Sequence, residues 1–429
     1  MKLTYKFTYK DKYNKLLELC KISKNLYNQT NFIIKQELKN NNKWMRYNKL
    51  NQILKNTKNL ENTFNYKLLK AQTSQQILKL IDKNWKSFFE AIKDYKINPK
   101  KYNGKPRSPK YLNKNDLYLL IFTNQNSKIK NNKIILYKNI KINIPEYKNK
   151  NFSNFQQVRI LPLKNNVYEI EIIYLENIKN IELNYNKYAS IDFGVNNLIT
   201  LVTKEQKPLI IDGKVLKSYN QFYNKQKAYL QSIKDKMKIN KYTKNMNKLE
   251  YNRKNFIKDY LHKTSRIVIN YLIENKIGTL AVGFNRGLKT NLNLGKRNNQ
   301  AFVSIPYSQL FNYLKYKCEL VGIKVIETEE SYTSKCDSLS LESLEKQESY
   351  LGKRVKRGLF QSKIGKLINA DVNGALNILR KVLGDSQYVI EIINSGLLFN
   401  PVKISPFTNC SKDKETSSQK ISLKNCYTF

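Results

Sequence analysis

Histidine is almost missing from this sequence: of 429 residues only His262 could offer an imidazole. It stands in the helical-looking stretch Asp259-Tyr-Leu-His262-Lys-Thr-Ser-Arg266 and reads as a packing or phosphate-proximal residue rather than a base. Cysteine is also sparse. The five, at positions 20, 318, 336, 410 and 426, form no CxxC pair and no framework spacing, which speaks against a disulfide scaffold and fits reduced thiols in a cytosol. No signal-peptide pattern and no run of about 18 or more apolar residues is visible, so neither export nor a membrane span is expected. Acids are the scarcest class relative to their opposites, 33 Asp and Glu against 78 Lys and Arg, for a formal net charge of +45. Such an excess must largely face solvent and predicts a polyanionic partner. Anionic lipid suits it less, because no basic amphipathic helix dominates.

With so few acids, those that fall on apolar patterns stand out. In Leu367-Ile-Asn-Ala-Asp371-Val-Asn-Gly-Ala-Leu-Asn-Ile-Leu-Arg-Lys381 the apolar residues Val372, Ala375, Leu376, Leu379 and Val382 recur at spacings of three and four. That is a helix with one core face and Asp371 in its first turn, on a stripe with Gly374 and Ile378 where the small residue leaves room beside the acid. The bland reading of Asp371 is a charge favoured by the helix dipole. In Tyr188-Ala-Ser-Ile-Asp192-Phe-Gly-Val-Asn-Asn-Leu-Ile-Thr-Leu-Val202, a buried strand turns tightly at 194–197 and returns. Asp192 lies inside the first strand, where an unpaired carboxylate is expensive and requires a cation or a partner.

The pair IDFGVNN (191–197) and NADVNGALNIL (369–379), about 180 residues apart, resembles the first and third motifs of the RuvC-type, ribonuclease H-like nuclease core. The words ESYTSKCDSL (330–339) and RVKRGLF (354–360) are similar to those of the TnpB family, transposon-encoded RNA-guided DNA nucleases related to type V CRISPR effectors. The resemblance runs from about residue 1 to about 403. It implies a site with two Mg2+ ions held by Asp192, Glu330 and Asp371, since in-line phosphodiester hydrolysis uses several carboxylates around two hard cations. One departure matters. Gly283, at the end of the strand Gly278-Thr-Leu-Ala-Val-Gly283, stands where many RuvC-type nucleases carry their middle glutamate. Glu330 is the expected replacement, being just past the neighbouring strand, with Glu329 or no third acid as alternatives. The family often has a zinc ribbon of two CxxC pairs between 335 and 354; with Cys336 alone, no structural zinc is expected. Asp337, Glu342, Glu345 and Glu348 in that segment read as solvated charges.

The fold expected is α/β plus a β-barrel and a helical lobe. Residues 1–10 and 118–185, rich in short alternating strands, would close a wedge-type barrel interrupted by a helical recognition lobe at 11–117. Residues 186–335 and 355–403 would form the RuvC-like domain, 336–354 a degenerate ribbon, and 404–429 a disordered tail. Trp85 and Phe89 read as core. Gln76, Lys86, Lys105, Arg107, Lys110, Arg253, Lys353, Arg354 and Arg357 are the candidates for touching nucleic acid, the loop Gly104-Lys-Pro-Arg-Ser-Pro-Lys110 being rigid and basic. The partners implied are a guide (omega-type) RNA and double-stranded target DNA, with no membrane, a monomer, and a cytoplasmic, nucleoid-associated location. The functional expectation is an RNA-guided, Mg2+-dependent DNA endonuclease. The rivals are a compact type V CRISPR effector and a guided repressor that does not cut.

Overall fold

In the computed structural model, residues 1–145, 152–163, 166–285 and 296–407 are described. They divide into two compact units, with the break between Asn177 and Ile178.

The first unit opens with strand β1 (Lys2–Lys10), whose alternation puts Leu3, Tyr5, Phe7 and Tyr9 on the inner face. Helices α1 (Lys15–Asn41), α2 (Tyr47–Leu54) and α3 (Ala71–Ile97) follow, then β2 (Leu120–Thr123), β3 (Lys128–Lys130), β4 (Lys133–Ile135), β5 (Lys141–Asn143), β6 (Phe155–Pro162) and β7 (Val167–Leu175). The helical lobe inserted after the first strand is therefore present. A closed barrel is not: among the described residues the strands form an open sheet, β1-β7-β6-β2, and a separate meander, β3-β4-β5. Closure would need the edge strands β1 and β2 to pair. Instead the four-residue β2 is covered by α3 and α1, a common way to protect a sheet edge.

One face of α1 is polar although buried. Asn31 donates to the Pro109 carbonyl (3.1 Å), Tyr27 to Lys110 (3.2 Å), Asn28 to Leu112 (2.9 Å), Lys24 to Lys114 (3.1 Å) and Ser23 to Leu119 (2.8 Å). These residues recur with the helical period, so residues 109–119 are clipped along the helix as a strap. Trp85 is 2% exposed and donates through Nε1 to Asn31 Oδ1 (3.0 Å), and with Phe88 and Phe89 it fills the core, as expected.

The second unit is built on a six-stranded mixed sheet. Its elements are β8 (Asn184–Phe193), β9 (Asn197–Thr203), β10 (Leu209–Asp212), α4 (Lys214–Lys236), α5 (Lys244–Glu274), β11 (Ile277–Gly283), α6 (Lys296–Val303), α7 (Tyr307–Leu320) and β12 (Lys324–Thr328). After these come β13 (Lys353–Lys356), β14 (Leu359–Gln361), β15 (Leu367–Asn369), α8 (Ala370–Leu383), α9 (Gln387–Asn394) and β16 (Val402–Ile404). The sheet order is β12-β11-β8-β9-β10-β16, antiparallel across β8-β9-β10 and parallel across β8-β11-β12. The period-2 alternation of β8 divides its residues between two layers. Ala189 and Ile191 pack with α5 and α7, while Ser190 turns to α8 and donates to the Ala375 carbonyl (2.6 Å). Asp192 shares the Ser190 face, so α8 lies over it.

Residues 404–407, expected to belong to a disordered tail, are instead ordered. Ile404 ends β16, and Phe407 packs its ring against Phe256 and Tyr260. Residues 408–429 lie outside the described residues. No helix among the described residues is long and apolar enough to cross a membrane.

Candidate active site

Asp192 closes on α8 at the C-terminal end of β8, next to the turn that returns as β9. A Cβ at Gly374 would lie 3.0 Å from Asp192 Oδ2, so the glycine makes room for this acid rather than for its own neighbour Asp371. The residue keeps some exposure, but its carboxyl is surrounded by protein atoms. Burial, then the charges of Glu330 and Asp371, raise its pKa well above the usual carboxylate range; the Phe193 N–H and Arg354 act the other way.

Asp371 stands in the first turn of α8. The helix is capped by Asn369, whose Oδ1 accepts from the N–H groups of Asp371 (2.9 Å) and Val372 (3.3 Å). Asp371 Oδ2 accepts from Asn197 Nδ2 at 2.6 Å, which joins the β9 strand start to the helix start. The second Asn of the GVNN turn thus contacts a candidate site acid, a contact that sequence reasoning missed although the residue lies inside the motif that pointed to Asp192.

Glu330 follows β12, which pairs with β11 in parallel register so that Thr328 stands opposite Gly283. A Cβ on Gly283 would fall 2.4 Å from Ile378 Cδ1 and 2.9 Å from Glu330 Cγ. Ile378 and the Glu330 side chain therefore fill the space that a side chain at 283 would need, and a larger residue there would require both to shift. Burial raises the Glu330 carboxyl to about 7, with Lys381 opposing. Glu329 is exposed and takes a hydrogen bond from Ser331. Tyr307 donates to the Gly194 carbonyl (3.0 Å), and burial together with Asp192 and Glu330 keeps its phenol protonated.

Two of the three carboxylates have raised pKa, Asp192 by burial and by the charges of Glu330 and Asp371, and Glu330 by burial, with Arg354 and Lys381 as opposing cations. An all-oxygen, anionic donor set of this kind suits a hard divalent cation. Among the described residues no three His, Cys, Asp or Glu side chains are already drawn into ligating range.

The other candidates are scattered. Arg354, with Lys353 on the exposed strand β13, is near enough to act on Asp192; Arg357 is exposed in the next turn. Lys105, Arg107 and Lys110 are exposed in the loop that leads into the strap. Lys86 is exposed on α3 and ion-paired with Glu90 (3.7 Å), and Gln76 is half-buried. Arg253 turns inward: it donates to Asn220 Oδ1 (2.8 Å) and the Ser304 carbonyl (3.1 Å), with its guanidinium over the Tyr223 ring. It thereby braces α4 against α5, its guanidinium forking between two acceptors. Asp337 and Glu342 were expected in solvent and are instead 0% and 6% exposed; Glu345 and Glu348 are exposed as expected.

Comparison with known proteins follows the same division. Residues 171–288 match the family model OrfB_IS605, a probable transposase, and residues 307–378 match the Cas12f1-like TNB domain. Over 204 residues the chain is 28% identical to the TnpB-like protein ORF457 of Acidianus two-tailed virus. That match covers 46% of this chain and 42% of the viral protein, less than half of either. Cas12f1 in a solved Cas12f1–sgRNA–target DNA complex aligns with 85% of this chain and 81% of its own length, with a TM-score of 0.53 at 15% identity, a likeness of fold. The family models and the viral homologue are of the TnpB and Cas12f1-like kind that the motifs at 191–197, 330–339, 354–360 and 369–379 resemble.

Proposed function

We propose that this protein is an RNA-guided, metal-dependent DNA endonuclease in which Asp192, Glu330 and Asp371 hold the metal ions. The observation that carries the reading is the fit of Glu330 into the space left by Gly283, which turns a missing acid into a relocated one. Bound Mg2+ would lower the pKa of an attacking water and neutralise charge on the leaving oxygen. The chain's own residues do the rest. Asn197 orients Asp371, Gly374 lets Asp192 approach α8, and the cations of β13 hold a phosphodiester near the acids. A guide RNA supplies sequence by base pairing, while the basic surface supplies affinity for the backbones.

The match to a Cas12f1-like TNB domain favours a second reading, a compact type V effector; transposon ends or a repeat array in the flanking DNA separate the two. The test is to express the protein with its flanking DNA, sequence the RNA that co-purifies, and offer guide-matched duplex with Mg2+. A defined RNA and cutting that is lost in Asp192→Ala, Glu330→Gln and Asp371→Ala is the expected result. RNA without cutting by the unmodified protein points to a guided repressor, and no RNA overturns the guided reading.

A further inference from the structure

Between β12 and β13 lies a stretch with neither helix nor strand, 329–352, which nonetheless packs tightly on α8. Irregular backbone that is buried must have its polar groups satisfied. Here two carboxylates do it. Asp337 Oδ2 accepts from Ser340 Oγ (2.7 Å), Ser362 Oγ (2.6 Å) and the Lys363 N–H (2.9 Å), and its Oδ1 from the Leu339 N–H (3.1 Å). Glu342 accepts from the N–H groups of Asp337 (2.6 Å) and Leu351 (2.8 Å). Leu351 stands two residues before β13, and the intervening Gly352 sits so close under Phe360 that a Cβ would meet the ring at 2.4 Å.

The clamp is seated on α8. Asn373, Asn377 and Arg380 are buried and spaced by four and three, so they form one stripe of the helix. Asn373 bonds Ser338 and the Cys336 carbonyl (2.9 Å); Asn377 donates to the carbonyls of Cys336 (2.8 Å) and Thr333 (2.9 Å). Arg380 donates to Asn377 Oδ1 (2.9 Å) and to the Glu342 carbonyl (3.0 Å). Thr333 in turn donates through Oγ1 to the Glu330 carbonyl at 2.8 Å. The helix that carries Asp371 on one stripe therefore holds, on another, the segment that delivers Glu330 at one end and Arg354 at the other.

We propose that the Asp337 and Glu342 carboxylates, seated on the Asn373–Asn377–Arg380 stripe, lock residues 331–363 without a metal cross-link and so position Glu330 and Arg354 against Asp371. This rests on the proposed role of the three acids. The partners of the Asp337 and Glu342 carboxylates are residues of the segment itself and none of the three acids, so the two are positioning residues. The lock stays closed in acid longer than a free carboxylate would allow, since the bonds from Ser362, Ser340, Lys363 and Leu339 outweigh burial and lower the Asp337 pKa.

The experiment uses the full chain with its co-purifying RNA, unmodified and as Asp337→Ala, the milder Asp337→Asn, and Glu345→Ala as an exposed control. Two readouts are taken: amide hydrogen exchange, and Mn2+ binding by electron paramagnetic resonance. Asp337→Ala is expected to speed exchange about tenfold or more across 338–342 and 351–363, leave β8 and β11 protected, and weaken Mn2+ binding about tenfold. Asp337→Asn falls between, and Glu345→Ala matches the unmodified protein. Unchanged exchange in both Asp337 variants overturns the lock; faster exchange with unchanged Mn2+ binding overturns its positioning role. Exchange across 331–363 that rises when EDTA is added to the unmodified protein overturns its independence of metal. If the unmodified protein binds no Mn2+, the metal-site reading of Proposed function is what fails, and the exchange arm still decides the lock.

Discussion

A single methyl group added at Gly283 separates the relocated glutamate from its alternatives. Built on the backbone, it would lie 2.4 Å from Ile378 Cδ1, 2.9 Å from Glu330 Cγ and 3.0 Å from Ile378 Cγ1. Carbon atoms are comfortable at about 3.5–4.0 Å, so the tightest overlap is about 1 Å. Ile378 is 0% exposed and cannot swing its terminal carbon into solvent. Overpacking of a closed core costs about 1–3 kcal/mol, which in a unit of about 250 residues lowers the melting temperature by about 2–12 °C. The effect on cutting should be steeper, because Glu330 Cγ must also give way and a 1 Å misplacement costs on the order of 100-fold. Thermal melting and single-turnover cleavage of guide-matched DNA are measured for Gly283→Ala alone and with Ile378→Val. The second change removes Cδ1, so most of the melting temperature returns while the Glu330 contact, and hence the rate defect, persists. A Gly283→Ala protein with unmodified melting and rate would refute the reasoning.

Asn197→Ala removes the 2.6 Å bond that orients Asp371; a 10- to 100-fold loss of Mn2+ affinity with little change in melting is expected by Mn2+ titration. Lys317, which donates to the His262 carbonyl (2.8 Å) and Ser265 Oγ (2.7 Å), is held at about 7 by burial and then by Arg266. Its unfolded pKa is about 10.4, so the unfolded chain binds more protons between pH 7 and about 10.4, and melting temperature should rise with pH across that window; Lys317→Met should flatten the rise. His262, pushed to about 4 by burial and by Lys317, acts in the same direction, costing stability as pH falls from about 6.5 toward 4. Replacing Lys105, Arg107 and Lys110 by Ala should weaken nucleic-acid binding uniformly across sequences and reduce the slope of log K against log salt by up to about 3, read by fluorescence anisotropy at several salt concentrations.

The two strongest site residues were legible because their neighbours are periodic. Alternation around Asp192 and three-four spacing around Asp371 each fix a face, and an acid on such a face is conspicuous. Gly283 and Glu330 were legible only together, through adjacent parallel strands. What escaped was set by contacts distant in sequence. Asp337 and Glu342 lie in a stretch without periodicity, where a carboxylate reads as solvated unless one knows that Leu351, Ser362 and Lys363 bring it their donors. Arg253 could not be told from its lysine neighbours before α4 supplied Asn220 and the residue after α6 supplied the Ser304 carbonyl. The barrel failed for a related reason: alternation marks β1 and an apolar run marks β2 as strands, but neither says anything about α3 covering the edge where they would have met.

The strap over α1 has an evolutionary corollary. Its course is dictated from the helix, by side chains that grip main-chain carbonyls at 109, 110, 112, 114 and 119, and a carbonyl is common to every residue type. The strap's own letters can therefore drift while its path stays put, and the cationic loop before it can be recoded, lengthened or recharged without relocating where it emerges. Variation in what this protein grips would then accumulate in the loop, while constancy would be demanded of five positions on α1.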